Sequence, residues 1–192
     1  MKDKKQKKNW GLIFFIVVIM IGTSFSFIFY GFSPSTDKVK YKEFSFVNRN
    51  NVWLANVNGR QAAFTFLPTE VEKINLSADI ISRLQNKFEI DVTSDFNSTN
   101  AGAIALAEHQ MGLTLAEYNI YLREGFTSNS SFNFPIIKCE NSNKNVPVIY
   151  FKSSNTTSVY SEGDCIIAEG HKDADFIGVK DRLLYGILGV IK

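Results

Sequence analysis

Few residues in this chain could do chemistry, and their spacing narrows what that chemistry would be. Cys139 and Cys165 are its two cysteines. Their separation does not fit C-x-x-C redox chemistry, and thiolate and imidazole ligands in zinc-site spacing are not available. Two cysteines in an oxidising compartment usually pair, so a structural disulfide is expected, against two buried free thiols or a reactive thiol. His109 and His171 are the two histidines. Metal binding wants spaced clusters such as H-x-x-x-H, and neither histidine belongs to one. The acidic turn at 171–175 falls short of the ligand count of a calcium loop. No metal and no cofactor are expected. Ser35-Thr36-Asp37-Lys38 matches S-x-x-K, but without a K-T-G or S-D-N partner, and in a polar linker that gives a serine no rigid shell. With no G-x-S-x-G, Walker A or G-x-G-x-x-G in the sequence, no catalytic residue is assigned.

A polar turn is the best candidate for a binding pocket. Ser94, Asp95, Asn97, Ser98, Thr99 and Asn100 fall between a predicted strand and a predicted helix. Ligands in α/β sheets gather at such places, because free N–H groups and the helix dipole point there. The alternative is that Asn100 or Thr99 simply caps the helix. Lys180 is a second oddity, because it projects near the centre of an apolar helix face. Burying a lone ammonium is expensive. Either the helix starts beyond it, or the lysine snorkels from the first turn, or it meets an acidic partner or a ligand. Four N-x-S/T sequons, at Asn75, Asn97, Asn129 and Asn155, could accept glycans if exported.

These residues must be positioned by the elements around them. The stretch 41–47 alternates like an exposed strand. Asn48 to Asn51 reads as a turn. Segments 52–57 and 62–67 flank Asn58-Gly59, a strong hairpin signal. Ser77 reads as a helix N-cap, with Ile80, Ile81, Leu84 and Phe88 on one face. A strand at 89–93 and the polar turn lead into an alanine-rich helix at 101–112. Gly112 interrupts that helix, and Thr114-Leu115-Ala116-Glu117 fits a capping box for a second helix to about residue 124. Strands follow at 135–139, 146–151, 158–160 and 165–168. A terminal helix over 175–191 carries Phe176, Val179, Leu183, Leu184, Ile187, Leu188, Val190 and Ile191 on one broad face.

The N-terminus decides location. Residues 10–32 carry no charge and at ~1.5 Å per residue reach across a hydrocarbon core of about 30 Å. Lys2, Lys4, Lys5, Lys7 and Lys8 stand against Asp3 before it, a surplus of +4 out of a chain total of +2, which leaves −2 for the rest. Lysines resist translocation, so the N-terminus stays in the cytoplasm and the C-terminal part goes out. The exported part has no basic surplus, so nucleic-acid binding is not expected. A cleaved signal peptide is a rival, but the apolar core is long and lacks A-x-A. A type IV pilin leader is another, but Ile16 stands where such pilins carry glutamate.

The division expected is a basic tail at 1–9, a signal-anchor helix at 10–32, a linker at 33–43 and one extracytoplasmic α/β or α+β domain at 44–192. That domain has a mixed sheet, an N-terminal hairpin and a C-terminal docking helix. The Trp53 hairpin ending in Phe66-Leu67-Pro68, the Cys139–Cys165 pair and Asp181-Arg182-Leu183-Leu184-Tyr185-Gly186 give it a resemblance to a loose set of single-anchor extracytoplasmic proteins of archaeal type. The resemblance implies an envelope location and carries no activity. The functional expectation is a membrane-anchored binding or scaffold domain. Its partners would be the bilayer, through 10–32, and envelope or membrane proteins or further copies of itself. The alternatives are a small-ligand-binding or hydrolytic domain using the 94–100 turn, and a pilin-like filament subunit.

Overall fold

The computed structural model describes residues 10, 14–20 and 37–191. Residues 14–20 are helical. No helix among the described residues is long and apolar enough to cross a membrane. The remainder of the expected 10–32 span lies outside the described residues, as does the 1–9 tail. A separate compact unit begins at Asp37.

That unit opens with a four-stranded antiparallel meander: β1 (Lys38–Tyr41), β2 (Phe44–Arg49), β3 (Val52–Val57) and β4 (Arg60–Phe64). Two-residue hairpin turns of type I′ need positive φ at both central positions. Asn50 and Asn51 supply φ of 53° and 63°, and Asn58 and Gly59 supply 52° and 80°. The expected Asn58-Gly59 hairpin is therefore present. The 41–47 stretch is not one strand; the chain reverses at Lys42, with φ 50°. Phe46, Ala55, Val57, Ala62 and Phe64 are the buried residues of the meander.

Short helices α1 (Pro68–Val71) and α2 (Ala78–Leu84) follow. Ser77 caps α2 as expected, its hydroxyl accepting from Ile80 N at 3.4 Å. Phe88 does not join the buried face, because α2 ends at Leu84, and it is 87% exposed.

The second sheet is mixed. Its strands are β5 (Glu89–Ser94), β6 (Tyr121–Phe126), β7 (Val148–Ser153), β8 (Ser158–Glu162) and β9 (Cys165–Gly170), in the order β6-β5-β7-β9-β8. Only β8, on one edge, runs antiparallel to its neighbour. Alternation sorts the side chains between two faces. Ile90, Val92, Ile149, Phe151, Ile166 and Ala168 join the main core. Val148, Cys165 and Ile167 join a smaller cluster with Ile137. The β6–β7 connection covers that second face. The Cys139–Cys165 disulfide ties it to β9, with the two Cα atoms 5.0 Å apart. The 135–139 stretch is not a strand; it makes a single bridge, Phe126 to Ile136, and then one 3-10 turn, Cys139–Asn141.

Between β5 and β6 runs α3 (Ala101–Ala116), which completes a βαβ unit. The helix does not break at Gly112, and no second helix spans 114–124. A mid-helix glycine costs only about 1 kcal/mol relative to alanine, less than burying Met111 and Leu115 on either side returns. The Thr114 hydroxyl donates to Ala63 O at 3.2 Å and caps nothing. Asn119, with φ 58°, ends the helix region, and residues 121–126 pair with β5.

The terminal helix α4 (Asp173–Ile187) starts and ends earlier than expected. Nor is it one-sided, because every residue from Phe176 to Ile187 is buried. Tyr185 stacks on Phe64 of the meander, ring centroids 4.1 Å apart, and its hydroxyl donates to Phe66 O at 2.7 Å. A Cβ on Gly186 would lie 2.8 Å from Leu76 Cδ2, so the segment before α2 closes on α4 only because that position has no side chain.

Candidate functional site

β5 has β6 on one side and β7 on the other, both parallel to it. Its C-terminal end is therefore the place where connections diverge and an α/β sheet opens a crevice. The 94–100 turn sits there. Its six candidate residues, Ser94, Asp95, Asn97, Ser98, Thr99 and Asn100, do not act together.

Asp95 and Asn97 build the turn itself. Asp95 Oδ1 accepts from Asn97 N at 3.0 Å, and both residues are exposed. Ser98 and Asn100 belong to a network that joins one strand end and two helix starts. The Ser98 and Ser153 hydroxyls are 2.6 Å apart. Ser153 donates to Asn100 Oδ1 at 2.9 Å, and Asn100 Nδ2 donates to Asp173 Oδ1 at 2.8 Å. Thr99 Oγ1 donates to Asn100 Oδ1 at 3.3 Å. Asn100 occupies the N-cap position of α3, yet its side chain makes no capping bond. The amide instead locks the starts of α3 and α4 to the end of β7. A serine nucleophile needs an adjacent base, and neither hydroxyl finds one among these partners.

Ser94 goes elsewhere. It is buried at the end of β5 and opens into a cavity of about 300 Å³ between α3, β6 and the loop after β6. Phe96, Phe126, Phe132 and Phe134 line much of it. Phe126 is the hub, with centroids 6.0 Å from Phe96, 6.0 Å from Phe132 and 5.4 Å from Phe134. Edge-on arrangements at these distances are those aromatic rings prefer. The loop is seated by Gly125, where a Cβ would lie 2.7 Å from both Pro135 O and Ile137 Cγ1. Ile137 N donates to Phe126 O, and Phe126 N to Pro135 O.

Two carboxylates share this apolar wall. Glu108 projects from α3 within the buried stripe formed by Ile104, Ala107, Met111 and Leu115. It is 4% exposed, and its Oε1 has no hydrogen-bond partner. Burial first, and then the Glu124 carboxylate on β6, push its pKa up to about 8; the Ser94 hydroxyl pulls the other way. At neutral pH Glu108 is mostly protonated, a buried acid with one unpartnered oxygen on a residue that lines the cavity.

Lys180 neither lies before the helix nor snorkels. It stands in the middle of α4, 1% exposed, and meets Asp181 Oδ1 at 2.5 Å. Asp181 Oδ2 also accepts from the backbone N–H groups of Thr65 and Phe66, at 2.9 and 2.8 Å. Burial raises the Asp181 pKa, while Lys180 and those N–H groups act against the rise. The pair ties α4 to the exit of the meander. His109 is exposed on α3, and His171 is exposed just before α4. No group of three or more acidic, histidine or cysteine side chains that could hold a metal lies among the described residues. The four sequon asparagines are all exposed.

Glu108 and the phenylalanine cluster escaped sequence reading. Glu108 had a signal, since it interrupts an apolar stripe as Lys180 does. The phenylalanines had a weaker one, since Phe132 and Phe134 are large apolar residues in a Ser/Asn-rich loop. Set against family models, curated proteins and solved structures, the chain matches none of them.

Proposed function

We propose that this chain is a membrane-anchored, extracytoplasmic small-ligand-binding protein whose site is the cavity beneath the 94–100 turn. The observation that carries the reading is Glu108. A buried carboxyl with one oxygen unpartnered costs stability, and here it borders a cavity large enough for a small organic molecule. Such a group is retained where a ligand completes it. The location at a diverging strand end supports the same reading. Anchoring and export rest on the uncharged 10–32 stretch and the lysine-rich tail. The test is a melting-temperature screen of the detergent-solubilised full chain against a small-molecule library. Ligands that bind only the folded state raise its melting temperature. Hits that lose their effect in Phe126→Ala support the site, and a library without a single hit rejects it.

A scaffold role keeps one observation of its own. Leu113 and Tyr121, 60% and 63% exposed, border an open cleft beside His109. Cross-linking in native membranes tests it, and links mapped to that cleft would favour a protein partner.

A further inference from the structure

We propose that the ligand of this cavity is an organic ammonium, a small amine or quaternary ammonium carrying methyl or short alkyl groups. This inference rests on the cavity being a ligand site and narrows the ligand to one chemical class. Three features of the wall point to it. Phe96, Phe126, Phe132 and Phe134 line the cavity with aromatic rings, whose faces carry negative π-density, and bring no hydroxyl or indole N–H. Methylated ammonium groups are held by such faces. Glu108 and Glu124 place two carboxyl groups on the same wall. An anionic ligand would set its charge against the Glu124 carboxylate and oppose ionisation of Glu108. A neutral apolar ligand would fill the space and leave Glu108 Oε1 without a partner. Any such cation relieves the charge problem, and a protonated amine, unlike a quaternary ammonium, also carries an N–H for the Glu108 carboxyl once that side chain turns to the cavity.

The charges around Glu108 favour one direction of coupling. Glu124 on β6 is the charged group that acts on it, and β5 offers the Ser94 hydroxyl. The loop 127–134 carries no ionisable residue. On α4, Lys180 and Asp181 face each other, and His109 is exposed on the flank of α3. A bound cation holds Glu108 in its ionised form. Since the free carboxyl titrates at about 8, binding below that pH releases a proton. Affinity therefore rises with pH toward roughly tenfold per unit and levels off above about pH 8.

The test uses the full chain in maltoside and three water-soluble probes: 2-dimethylaminoethanol, choline, and 3,3-dimethyl-1-butanol, the uncharged isostere of choline. Calorimetry and melting shifts are read at pH 6, 7 and 8. The expected result is binding of the two cations at least ~10-fold tighter than the isostere. Choline, whose charge is fixed, should tighten from pH 6 to pH 8. Glu108→Gln should remove that pH dependence and weaken choline by ~10-fold or more. Phe132→Ala, at a ring already 58% exposed and so without cost to the fold, should also weaken it. Equal binding of the isostere overturns the ammonium class and leaves the cavity as a site. Binding of neutral or anionic library members with none of the cations does the same. If neither the probes nor any library member binds, the ligand-site reading falls with it.

Discussion

Glu108 concentrates an instability in a single side chain. Its pKa in the folded chain, about 8, stands above the ordinary 4.5. Between those values the folded state holds a proton that the unfolded state has lost. Stability therefore falls as pH rises through that window, and is level on either side of it. At about 1.4 kcal/mol per pKa unit, the penalty above pH 8 is on the order of 5 kcal/mol. Glutamine cannot ionise, so Glu108→Gln should match the parent near pH 4.5 and melt higher at pH 8.5, by roughly 10–20 °C. Thermal scans from pH 4 to pH 9 check this. Parallel curves for the two proteins would mean that Glu108 is solvated or paired. A gain in stability alongside a loss of choline binding is the pattern expected of a residue kept for function. Lys180 shows what the sequence could and could not say at this scale. Its place on an apolar face was visible, whereas its partner was not, because Asp181 is adjacent in sequence and adjacent residues on a helix do not ordinarily face each other.

At the scale of elements, α4 is the centre, and its polar residues hold the meander to it. Asp181 is the acceptor for Lys180, Thr65 N and Phe66 N. Asp181→Ala would leave an ammonium and two N–H groups buried without partners, at a cost of roughly 3–5 kcal/mol. Lys180→Met should cost clearly less, since Asp181 keeps both backbone donors and a methionine fills the space. Urea titrations of the two variants give the order; a Lys180→Met loss as large as that of Asp181→Ala would show that the ion pair, not the N–H contacts, carries the junction. Gly125 plays the matching part for the loop after β6. In Gly125→Ala the added methyl meets a backbone oxygen at 2.7 Å, which a flexible side chain cannot relieve. The 127–137 loop must shift, so choline binding should weaken while far-UV circular dichroism stays unchanged. Elements made by local rules were legible in advance: the Asn58-Gly59 hairpin, the Ser77 cap, β5 and the start of α3. Elements that depend on distant partners were not. β6 read as a helix because its pairing with β5 outweighs the capping pattern at Thr114. α4 read as one-sided because its second buried face is covered by a meander more than a hundred residues earlier in the chain.

For the whole molecule, the disulfide and the N-terminal charges bear on the same question from opposite ends of the chain. Cys165 is 1% exposed, and its bond to Cys139 bridges 26 positions in sequence. In the chain-entropy view a loop of that length stabilises by roughly 3 kcal/mol, so reductant should lower the urea midpoint of the folded chain. Such a bond persists where the surroundings are oxidising and is rare in a reducing cytosol. The surplus of lysines in the tail is an independent argument for the same proposal, a C-terminal part on the outer side. If both arguments hold, cells expressing the full chain should yield protein that stays in the membrane pellet after alkaline carbonate. Acid-quenched, denatured samples should take up no maleimide-polyethylene glycol before reduction and two equivalents after it, one for each of the two cysteines. Uptake of two equivalents without reduction would place the thiols in a reducing compartment and overturn export. Release into the carbonate supernatant would overturn the anchor while leaving the folded domain and its cavity untouched. The two readouts separate the claims because one depends only on residues 10–32 and the other only on the compartment that Cys139 and Cys165 meet.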